Sequence, residues 1–296
     1  MNLTRRAALS SLALAAFGSP GPSRYRFAIC NETFQGKLFT ETCRLAKTTG
    51  YQGLEIAPGT LSGDPAALSP SQRAGFRRAI TDNGLRYAGL HAVVSVPPGL
   101  HLTTPDTALR DKSWQYFRRL IDLSADLGDD GVMVLGSGKQ RGAVGGSTVA
   151  DARKRLRDGL AGIAPHARSR GVLVLLEPLS PQFTNVVNSL AEASEVVREI
   201  GSPSVDMMFD THNTVAETAP HDQLIRKYAK HIRHVHLNEM DGRHPGTGTY
   251  DFGLVLRTLR EVGYAGWISL EVFQFQPSGE VIAKETMALL RRMTGK

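Results

Sequence analysis

The chain contains 296 residues, of which 41% are hydrophobic and 21% are charged. That length and composition allow a large buried core, and they fit one α/β barrel as well as two smaller domains. The formal net charge is +7 at pH 7, but the basic residues form no continuous run, so we expect no nucleic-acid partner.

Residues 1–23 have the pattern of an export signal followed by a short linker. Thr4, Arg5 and Arg6 precede an apolar run over residues 7–17, which small and turn residues follow. An arginine pair before a short, weakly apolar segment resembles a twin-arginine signal. The run is too short to cross a bilayer as a helix, which takes about 20 residues, and no later segment approaches that length. We therefore predict cleavage near residues 16–19 and a periplasmic or secreted protein without a membrane span, the alternative being a disordered amino terminus with two arginines by chance.

From residue 25 onward, short apolar segments alternate with amphipathic ones, and brief polar breaks separate them. Apolar runs of four to eight residues indicate strands, and longer periodic runs that end at glycine indicate helices. The predicted strands cover residues 25–30, 53–56, 86–94, 131–135, 171–177, 205–210, 232–236 and 266–272. The predicted helices cover residues 37–49, 70–83, 114–127, 150–169, 190–200, 222–230, 252–262 and 279–293.

This alternation defines the fold class. Continuous apolar strands between amphipathic helices indicate a parallel sheet that helices cover. Eight such units fit a single (β/α)8 TIM barrel over residues 24–296. A doubly wound open sheet is the alternative, but no GxGxxG motif follows the first strand to support it.

Four of the predicted strands stop on a residue that can bind a divalent cation. These residues are Glu177, Asp210, His236 and Glu271, at the ends of strands five to eight. Because barrel enzymes keep their chemistry at the carboxyl ends of the strands, we expect the four side chains to converge. A salt bridge to a barrel lysine or arginine would explain any one of them, but four together favour a metal site. Three carboxylates and one imidazole suit Mn²⁺, our first choice, or Mg²⁺ or Co²⁺ better than a structural zinc.

The motifs around these residues carry a resemblance to a known family. They are Leu176-Glu177-Pro178, Phe209-Asp210-Thr211, His234-Val235-His236-Leu237-Asn238-Glu239, Pro245-Gly246-Thr247-Gly248 and Leu270-Glu271. In these motifs the chain resembles the xylose-isomerase-like barrel superfamily of sugar isomerases and epimerases, which includes the ketose 3-epimerases and the inosose and hydroxypyruvate isomerases. The resemblance extends from about residue 25 to the carboxyl terminus.

The resemblance implies that the four residues hold the metal and that Glu177 and Glu271 also act as acid and base. The expected function is therefore a divalent-metal-dependent isomerase or epimerase that acts on a small sugar or keto-sugar. The metal would acidify a C–H bond beside the ketone and stabilise the enediolate that forms. The two glutamates would remove and return the proton from opposite faces, each switching between carboxylate and acid.

Further residues are candidate substrate contacts. Glu239 and Arg243 resemble a pair that flanks the substrate in this family, the alternative being a salt bridge in a surface loop. His91, at the end of strand three, either contacts a substrate hydroxyl or is a core histidine. Glu55, at the end of strand two, either contacts the substrate or forms a salt bridge inside the barrel, and we favour the salt bridge.

Two loops add four more candidates. In ketose 3-epimerases a histidine usually lies three residues after the aspartate of strand six, but here that position is Asn213 and the histidine is His212. This departure leaves the identity of the sugar open. Lys139 and Arg141 follow strand four and could hold a phosphate or a second sugar ring, the alternative being a solvated basic loop.

Other functions remain as alternatives. A lyase that eliminates from a 3-keto-glycoside could use the same metal and base, and it would suit an exported protein. A phosphodiesterase like endonuclease IV needs more metal ligands, and a non-catalytic sugar-binding protein would have aromatic platforms and hinged lobes. A homo-oligomer is compatible with the sequence. Cys30 and Cys43 lack metal-ligand spacing, and we expect free, buried thiols, although they could pair in an oxidising compartment.

Overall fold

The computed structural model describes residues 25–295, and the predicted signal segment, residues 1–23, lies outside the described residues. Eight parallel strands form a closed barrel in which each strand pairs with the next, and the last pairs with the first. The strands are β1 (Arg26–Cys30), β2 (Gly53–Ile56), β3 (Arg86–Leu90), β4 (Val132–Leu135), β5 (Leu173–Leu176), β6 (Val205–Asp210), β7 (Ile232–Leu237) and β8 (Trp267–Leu270).

An α-helix follows each strand along the chain. The helices are α1 (Phe39–Thr49), α2 (Pro70–Asp82), α3 (Thr107–Leu127), α4 (Val149–Ser169), α5 (Leu190–Ile200), α6 (His221–Tyr228), α7 (Phe252–Glu261) and α8 (Gly279–Thr294). None of the helices between residues 25 and 295 has the length and apolar character that crossing a membrane requires. Eight strands in a closed barrel, each followed by a helix, confirm the predicted (β/α)8 architecture.

The start of α3 differs most from the sequence prediction. This helix begins at Thr107 rather than at residue 114. The side chain of Asp106 accepts a hydrogen bond from the backbone N–H of Leu109 at 3.0 Å and so caps the helix. The polar first two turns hide the start of the helix from a prediction that depends on apolar periodicity.

A small apolar cluster joins three neighbouring strands. Val134 on β4, Leu175 on β5 and Met208 on β6 are fully buried and pack together. Cys30 on β1 and Cys43 on α1 are both buried, and both are free within the described chain. The two free, buried thiols are as expected from the sequence.

The register of the strands brings the predicted ligands to one level of the barrel. Asp210 on β6 is the partner of His236 on β7, and His236 is the partner of Ser269 on β8. Side chains alternate between the two faces of a strand, so Glu271 projects to the same side as Ser269. The fold therefore places three of the four predicted ligands side by side at the carboxyl end of the barrel.

Candidate metal centre and active site

Four side chains at the carboxyl ends of neighbouring strands converge on one point. Glu177 follows β5, Asp210 ends β6, His236 lies near the end of β7, and Glu271 follows β8. One oxygen or nitrogen atom of each side chain lies within 4.8 Å of the corresponding atoms of the other three. None of the four residues is more than 9% exposed. The structure thus brings the four predicted ligands together in an arrangement that can hold a metal ion.

The loop after β6 holds the carboxylate of Asp210 in place. Its Oδ1 accepts hydrogen bonds from the backbone N–H groups of His212 at 2.6 Å and Asn213 at 2.8 Å. Its Oδ2 lies 3.5 Å from Nδ1 of His236. Burial raises the pKa of Asp210, but the contact with His236 and the backbone hydrogen bond from Asn213 together outweigh burial and hold the pKa below its ordinary value. One oxygen of Asp210 is therefore fixed by the backbone, and the other faces the predicted metal position.

The imidazole of His236 is fully buried between carboxylates. Its Nε2 lies 3.0 Å from Oε1 of Glu55, and its Nδ1 lies 3.0 Å from Oε2 of Glu271. Burial lowers the pKa of His236, but the charges of Glu271 and Glu55 outweigh burial and hold the pKa well above its ordinary value. In the tautomer whose Nε2–H donates a hydrogen bond to Glu55, the lone pair of Nδ1 points toward the predicted metal position.

Two atoms of this group lack hydrogen-bond partners. Nδ1 of His236 and Oε2 of Glu271 are both buried, and neither forms a hydrogen bond of acceptable geometry with any described residue. A buried polar atom without a partner is costly, and each such atom in a folded protein needs an explanation. A cation between them would bind both atoms and remove that cost.

Glu55 holds two histidines of β7 from the opposite strand β2. Its Oε2 lies 2.8 Å from Nε2 of His234, and its Oε1 contacts Nε2 of His236, with Glu55 itself 0% exposed. Burial raises the pKa of Glu55, but the two histidines outweigh burial and hold the pKa well below its ordinary value. Both oxygens are therefore used inside the barrel, in the salt bridge that we favoured from the sequence rather than in a substrate contact.

Glu177 is a buried carboxylate with an unusual proton affinity. Its Oε1 accepts a hydrogen bond from Nδ2 of Asn213 at 2.9 Å. A Cβ at position 136 would overlap its Oε2, so Gly136 leaves the space that this carboxylate occupies. Burial, together with the negative charges of Glu271 and Asp210, raises the pKa of Glu177 to about 8. The site therefore holds more negative charge than it can keep ionised without a compensating cation.

A cavity of about 490 Å³ opens above the carboxylates. Two of the four predicted ligands, Glu177 and Glu271, line it together with Asn213. The remaining lining residues are mixed, with polar side chains from the β3, β4 and β5 loops and aromatic ones from the β5 and β8 loops. They include Ser95, Ser137, Lys139, Gln140, Leu179, Gln182, Phe183 and Phe273. A cavity of this size lies in the range of sites that bind small molecules.

A comparison with protein families identifies the barrel. Residues 43–293 match the family model of the xylose isomerase-like TIM barrel. This chain belongs to that family. Among curated relatives, the L-ribulose 3-epimerase of Mesorhizobium japonicum is 28% identical over 215 residues, which cover 72% of this chain and 70% of the relative. The D-psicose 3-epimerase of Agrobacterium fabrum is 26% identical over 227 residues, which cover 76% of this chain and 75% of the relative.

Solved structures share the fold of this xylose isomerase-like barrel. A D-psicose 3-epimerase crystallised in the presence of D-fructose superimposes with a TM-score of 0.78 at 20% identity, covering 92% of this chain and 100% of that one. The 3-keto-D-glucoside 4-epimerase from E. coli gives the same TM-score and identity, covering 91% of this chain and 100% of that one. At such low identity, the likeness demonstrates a common architecture.

The loop after β4 carries Lys139 and Arg141, which the structure separates. Lys139 lines the cavity, as a substrate contact would. Arg141 is 0% exposed and points away from the cavity, donating from Nη2 to the carbonyl of Glu177 at 2.6 Å and from Nη1 to that of Val186 at 3.0 Å. Arg141 directly follows the short helical turn Gly138–Gln140, and its N–H donates to the carbonyl of Gly138. The structure therefore does not bring the predicted contact Arg141 to the cavity, because its guanidinium holds the β5 loop.

Glu239 also has a different task from the one expected. Its Oε1 accepts a hydrogen bond from the N–H of Gly246 at 2.9 Å, and its Oε2 accepts one from the N–H of Tyr250 at 3.3 Å. A Cβ at Gly248 would overlap the same carboxylate. Glu239 therefore fixes the Pro-Gly-Thr-Gly loop after β7 and is absent from the residues that line the cavity.

Arg243 follows Glu239 by four residues in the sequence, and its side chain lies on the surface. Its Nε lies 2.7 Å from Oδ2 of Asp241, and its side chain is 41% exposed. We expected Glu239 and Arg243 to flank the substrate together, but neither is among the residues that line the cavity. Arg243 forms the surface-loop salt bridge that was the alternative.

His91 lies at the edge of the metal centre with a partner that the sequence did not reveal. β3 ends at Leu90 rather than at residue 94, since the chain turns at Ala92, whose φ is 50°. Nε2 of His91 lies 2.7 Å from Oε1 of Glu32 and 4.0 Å from Oε1 of Glu271. Burial lowers the pKa of His91, but Glu32 outweighs burial and raises the pKa to about 9. Glu32 lies directly after β1, and this position at the carboxyl end of a strand is the only feature of the sequence that points to a role at the site.

His212 and Asn213 occupy the two sides of the β6 loop. Asn213 lines the cavity and contacts Glu177, so it is placed to meet a substrate. His212 lies beside the cavity, with Nδ1 2.8 Å from the carbonyl of Met240 and its ring centroid 4.8 Å from that of Phe273. The exchange of histidine and asparagine therefore puts an amide next to Glu177 and moves the imidazole toward the rim.

Proposed function

We propose that this protein is a divalent-metal-dependent sugar epimerase or isomerase that acts by proton transfer between two glutamates. The observation that carries the proposal is the convergence of Glu177, Asp210, His236 and Glu271 within 4.8 Å beneath a cavity of sugar-binding size. The curated relatives described above are named as 3-epimerases of L-ribulose and D-psicose, which supports a ketose as the substrate class.

The donor set fits a divalent cation. Three carboxylates and one imidazole are the ligands that Mn²⁺, Mg²⁺ and Co²⁺ accept, and the set contains no thiolate. The unpartnered Nδ1 of His236 and Oε2 of Glu271 gain a partner in this arrangement. When bound, the cation would polarise the ketone of the substrate and acidify the neighbouring C–H bond.

The two glutamates supply the proton transfers. They follow β5 and β8, which two strands separate, so they reach the cavity from different sides of the barrel. One carboxylate removes the proton from the carbon beside the ketone, and the electron pair of that C–H bond passes to the ketone oxygen to give an enediolate. The other glutamate returns a proton to the opposite face of the same carbon, which inverts it. Return to the adjacent carbon instead gives isomerisation.

Other residues prepare these groups. Nδ2 of Asn213 holds Oε1 of Glu177, so the carboxylate keeps a fixed orientation. In the metal-free site the pKa of Glu177 is raised to about 8, and a bound cation would lower it, which would tune this carboxylate between acid and base near neutral pH. The backbone carbonyl of Glu177 accepts a hydrogen bond from the buried guanidinium of Arg141, which fixes the backbone at this position.

Proton exchange with solvent tests the proposal directly. The protein with Mn²⁺ is incubated with L-ribulose or D-psicose in D₂O, and proton NMR follows the C–H signal at carbon 3 and the appearance of the epimer. We expect deuterium to replace that proton during turnover and EDTA to stop both processes. An Arg243→Ala variant is the control, since its side chain lies in a surface ion pair. Absence of both exchange and epimer with every ketose and cation tested contradicts the proposal.

A further inference from the structure

An aromatic cluster stands at the mouth of the cavity. The rings of Phe183 and Phe273 stack with centroids 5.8 Å apart and an interplanar angle of 19°. The ring of His212 lies 4.8 Å from Phe273 and 6.1 Å from Phe183. We call these three residues the aromatic wall. None of the proton transfers described above uses it.

The aromatic wall is exposed although it is apolar. Phe183 is 37% exposed and Phe273 is 40% exposed. Met240, at 37%, and Val215, at 54%, are exposed on the loops after β7 and β6. Eight large apolar side chains within residues 25–295 are exposed, and these four all lie on the loops that follow strands β5 to β8. An apolar surface concentrated beside a cavity marks a place where a ligand or partner binds.

The loops hold the aromatic wall in a fixed position. The N–H of Phe273 donates to the carbonyl of Gly242 at 2.8 Å, and Nδ1 of His212 contacts the carbonyl of Met240 at 2.8 Å. Gly242 has a φ of 81°, and a Cβ there would lie 3.0 Å from Cβ of Phe273. A glycine is therefore needed for the β7 loop to support Phe273 from behind. Rings that are fixed before binding lose little freedom when a ligand covers them.

The wall and the catalytic carboxylates share one cavity. Phe183 and Phe273 line the same 490 Å³ space as Glu177 and Glu271. Cavities in this range accommodate drug-sized molecules, which are considerably larger than one monosaccharide. A single sugar bound at the carboxylates therefore leaves the aromatic part of the cavity for a second group.

The second group is polar as well as flat. Lys139, Gln140 and Gln182 line the cavity together with Phe183 and Phe273, and each offers hydrogen-bond donors. A pyranose ring matches this combination, since it presents C–H groups on one face and hydroxyl groups around its edge. A plain hydrocarbon group would leave the three polar side chains without partners.

We propose that the substrate is a keto-sugar joined to a second sugar ring, and that this ring stacks on Phe183 and Phe273 while the keto-sugar reacts between the glutamates. The proposal rests on the proposed function and adds the substrate class. It assigns Phe183 and Phe273 to the recognition of the second ring, and Lys139, Gln140 and Gln182 to its hydroxyl groups.

A matched pair of substrates tests the proposal. D-Fructose and 6-O-α-D-glucopyranosyl-D-fructose have the same ketone and the same C–H bond at carbon 3, but only the second carries a glucosyl ring. With Mn²⁺ in D₂O, we expect the intact protein to exchange the carbon 3 proton of the disaccharide with a kcat/KM about tenfold higher or more, because one aromatic contact is worth about that factor.

Variants of the two phenylalanines test whether the aromatic wall causes the preference for the disaccharide. Phe183→Ala and Phe273→Ala should each lower kcat/KM for the disaccharide by about tenfold and lower it much less for D-fructose. Phe183→Tyr keeps the ring and should restore the preference. Met293→Ala removes a side chain that is also 40% exposed, at the end of α8, and should leave the preference unchanged.

The outcomes separate this proposal from the proposed function. Exchange of both substrates without preference, or equal losses for both in the alanine variants, overturns the second-ring proposal and leaves the epimerase in place. Absence of exchange with D-fructose and with the disaccharide, when L-ribulose or D-psicose does exchange, overturns the second-ring proposal alone. Absence of exchange with all four sugars overturns both proposals. Light scattering measures whether the protein is a dimer. If the intact protein is a dimer and Phe183→Ala is a monomer, a second copy of the chain covers the aromatic wall, and this result also overturns the proposal.

Discussion

Glu55 on β2 and His236 on β7 meet across the interior of the barrel, with Oε1 of the carboxylate 3.0 Å from Nε2 of the imidazole. The contact leaves Nδ1 of His236 facing Asp210 and Glu271. A carboxylate behind a metal-binding histidine fixes the orientation of the ring and increases its basicity. Glu55 is thus a positioning residue for the predicted ligand and lies outside the cavity.

The first prediction follows from this contact. Glu55→Gln removes the negative charge and turns one of the two acceptors into a donor, so it should weaken Mn²⁺ binding by about 10-fold to 100-fold. Isothermal titration calorimetry measures the change. Glu285→Gln is a matched control, because Glu285 contacts His244 at 2.9 Å in a similar pair on the surface of α8. Equal affinity in Glu55→Gln and the intact protein would remove Glu55 from this role.

A second prediction separates the proton carriers from the pure ligands. Glu177→Gln and Glu271→Gln keep an oxygen donor, so each variant should retain part of its metal and lose about 100-fold or more in turnover. His236→Ala should instead lower the metal content and the melting temperature together, since binding stabilises the folded state by mass action. Metal analysis, calorimetry and the D₂O assay distinguish the two patterns. Full activity in either glutamine variant would refute the two-glutamate mechanism.

The raised pKa of Glu177 gives a third prediction, on stability against pH. With a pKa of about 8, the folded state binds a proton that the unfolded carboxyl releases near pH 4.3, about its ordinary value. Stability of the EDTA-treated protein should therefore fall as the pH rises from about 4.3 to 8. Saturating Mn²⁺ should reverse the slope, because the cation binds the ionised carboxylate.

Melting temperatures measured from pH 5 to pH 8.5 test whether stability falls with rising pH in EDTA. The Glu177→Gln variant has no proton to lose at this position, so its slope in EDTA should be smaller. His91, with a pKa of about 9, contributes in the same direction and remains in both proteins. An identical slope in the intact protein and the variant would show that Glu177 does not titrate in this range.

A fourth prediction concerns export. The twin-arginine pattern of Arg5 and Arg6 supports transport of the protein out of the cytoplasm, a proposal that rests on the sequence alone. Replacing both arginines with lysine should keep the precursor in the cytoplasm of a bacterial host. Fractionation and immunoblotting measure the distribution, with Arg24→Lys as a control for the same type of substitution outside the pattern. Mature protein outside the cytoplasm in the double variant would contradict the proposal.

The fold and the ligand set could be predicted because their signals are local. A buried parallel strand is a continuous apolar run, and Asp210 or Glu271 interrupts such a run at its end. The direction of Arg141 depends instead on the turn Gly138–Gln140 and on carbonyl groups more than 30 residues away in sequence. Glu239 likewise binds N–H groups of a loop whose path the motif alone does not define. The pairing of Glu32 with His91 joins residues 59 positions apart, and no pattern in the sequence links them.

The hydrogen bond between Glu55 and His236 joins positions 181 residues apart, in the first and second halves of the barrel. The four ligands all belong to the second half, yet the histidine among them is oriented by a residue of the first. A fragment that contains only β5 to β8 would carry every ligand and lack the group that aims one of them. The protein can therefore bind the cation tightly only after the two halves of the barrel have packed together. The order of folding steps thus determines when the metal site first forms.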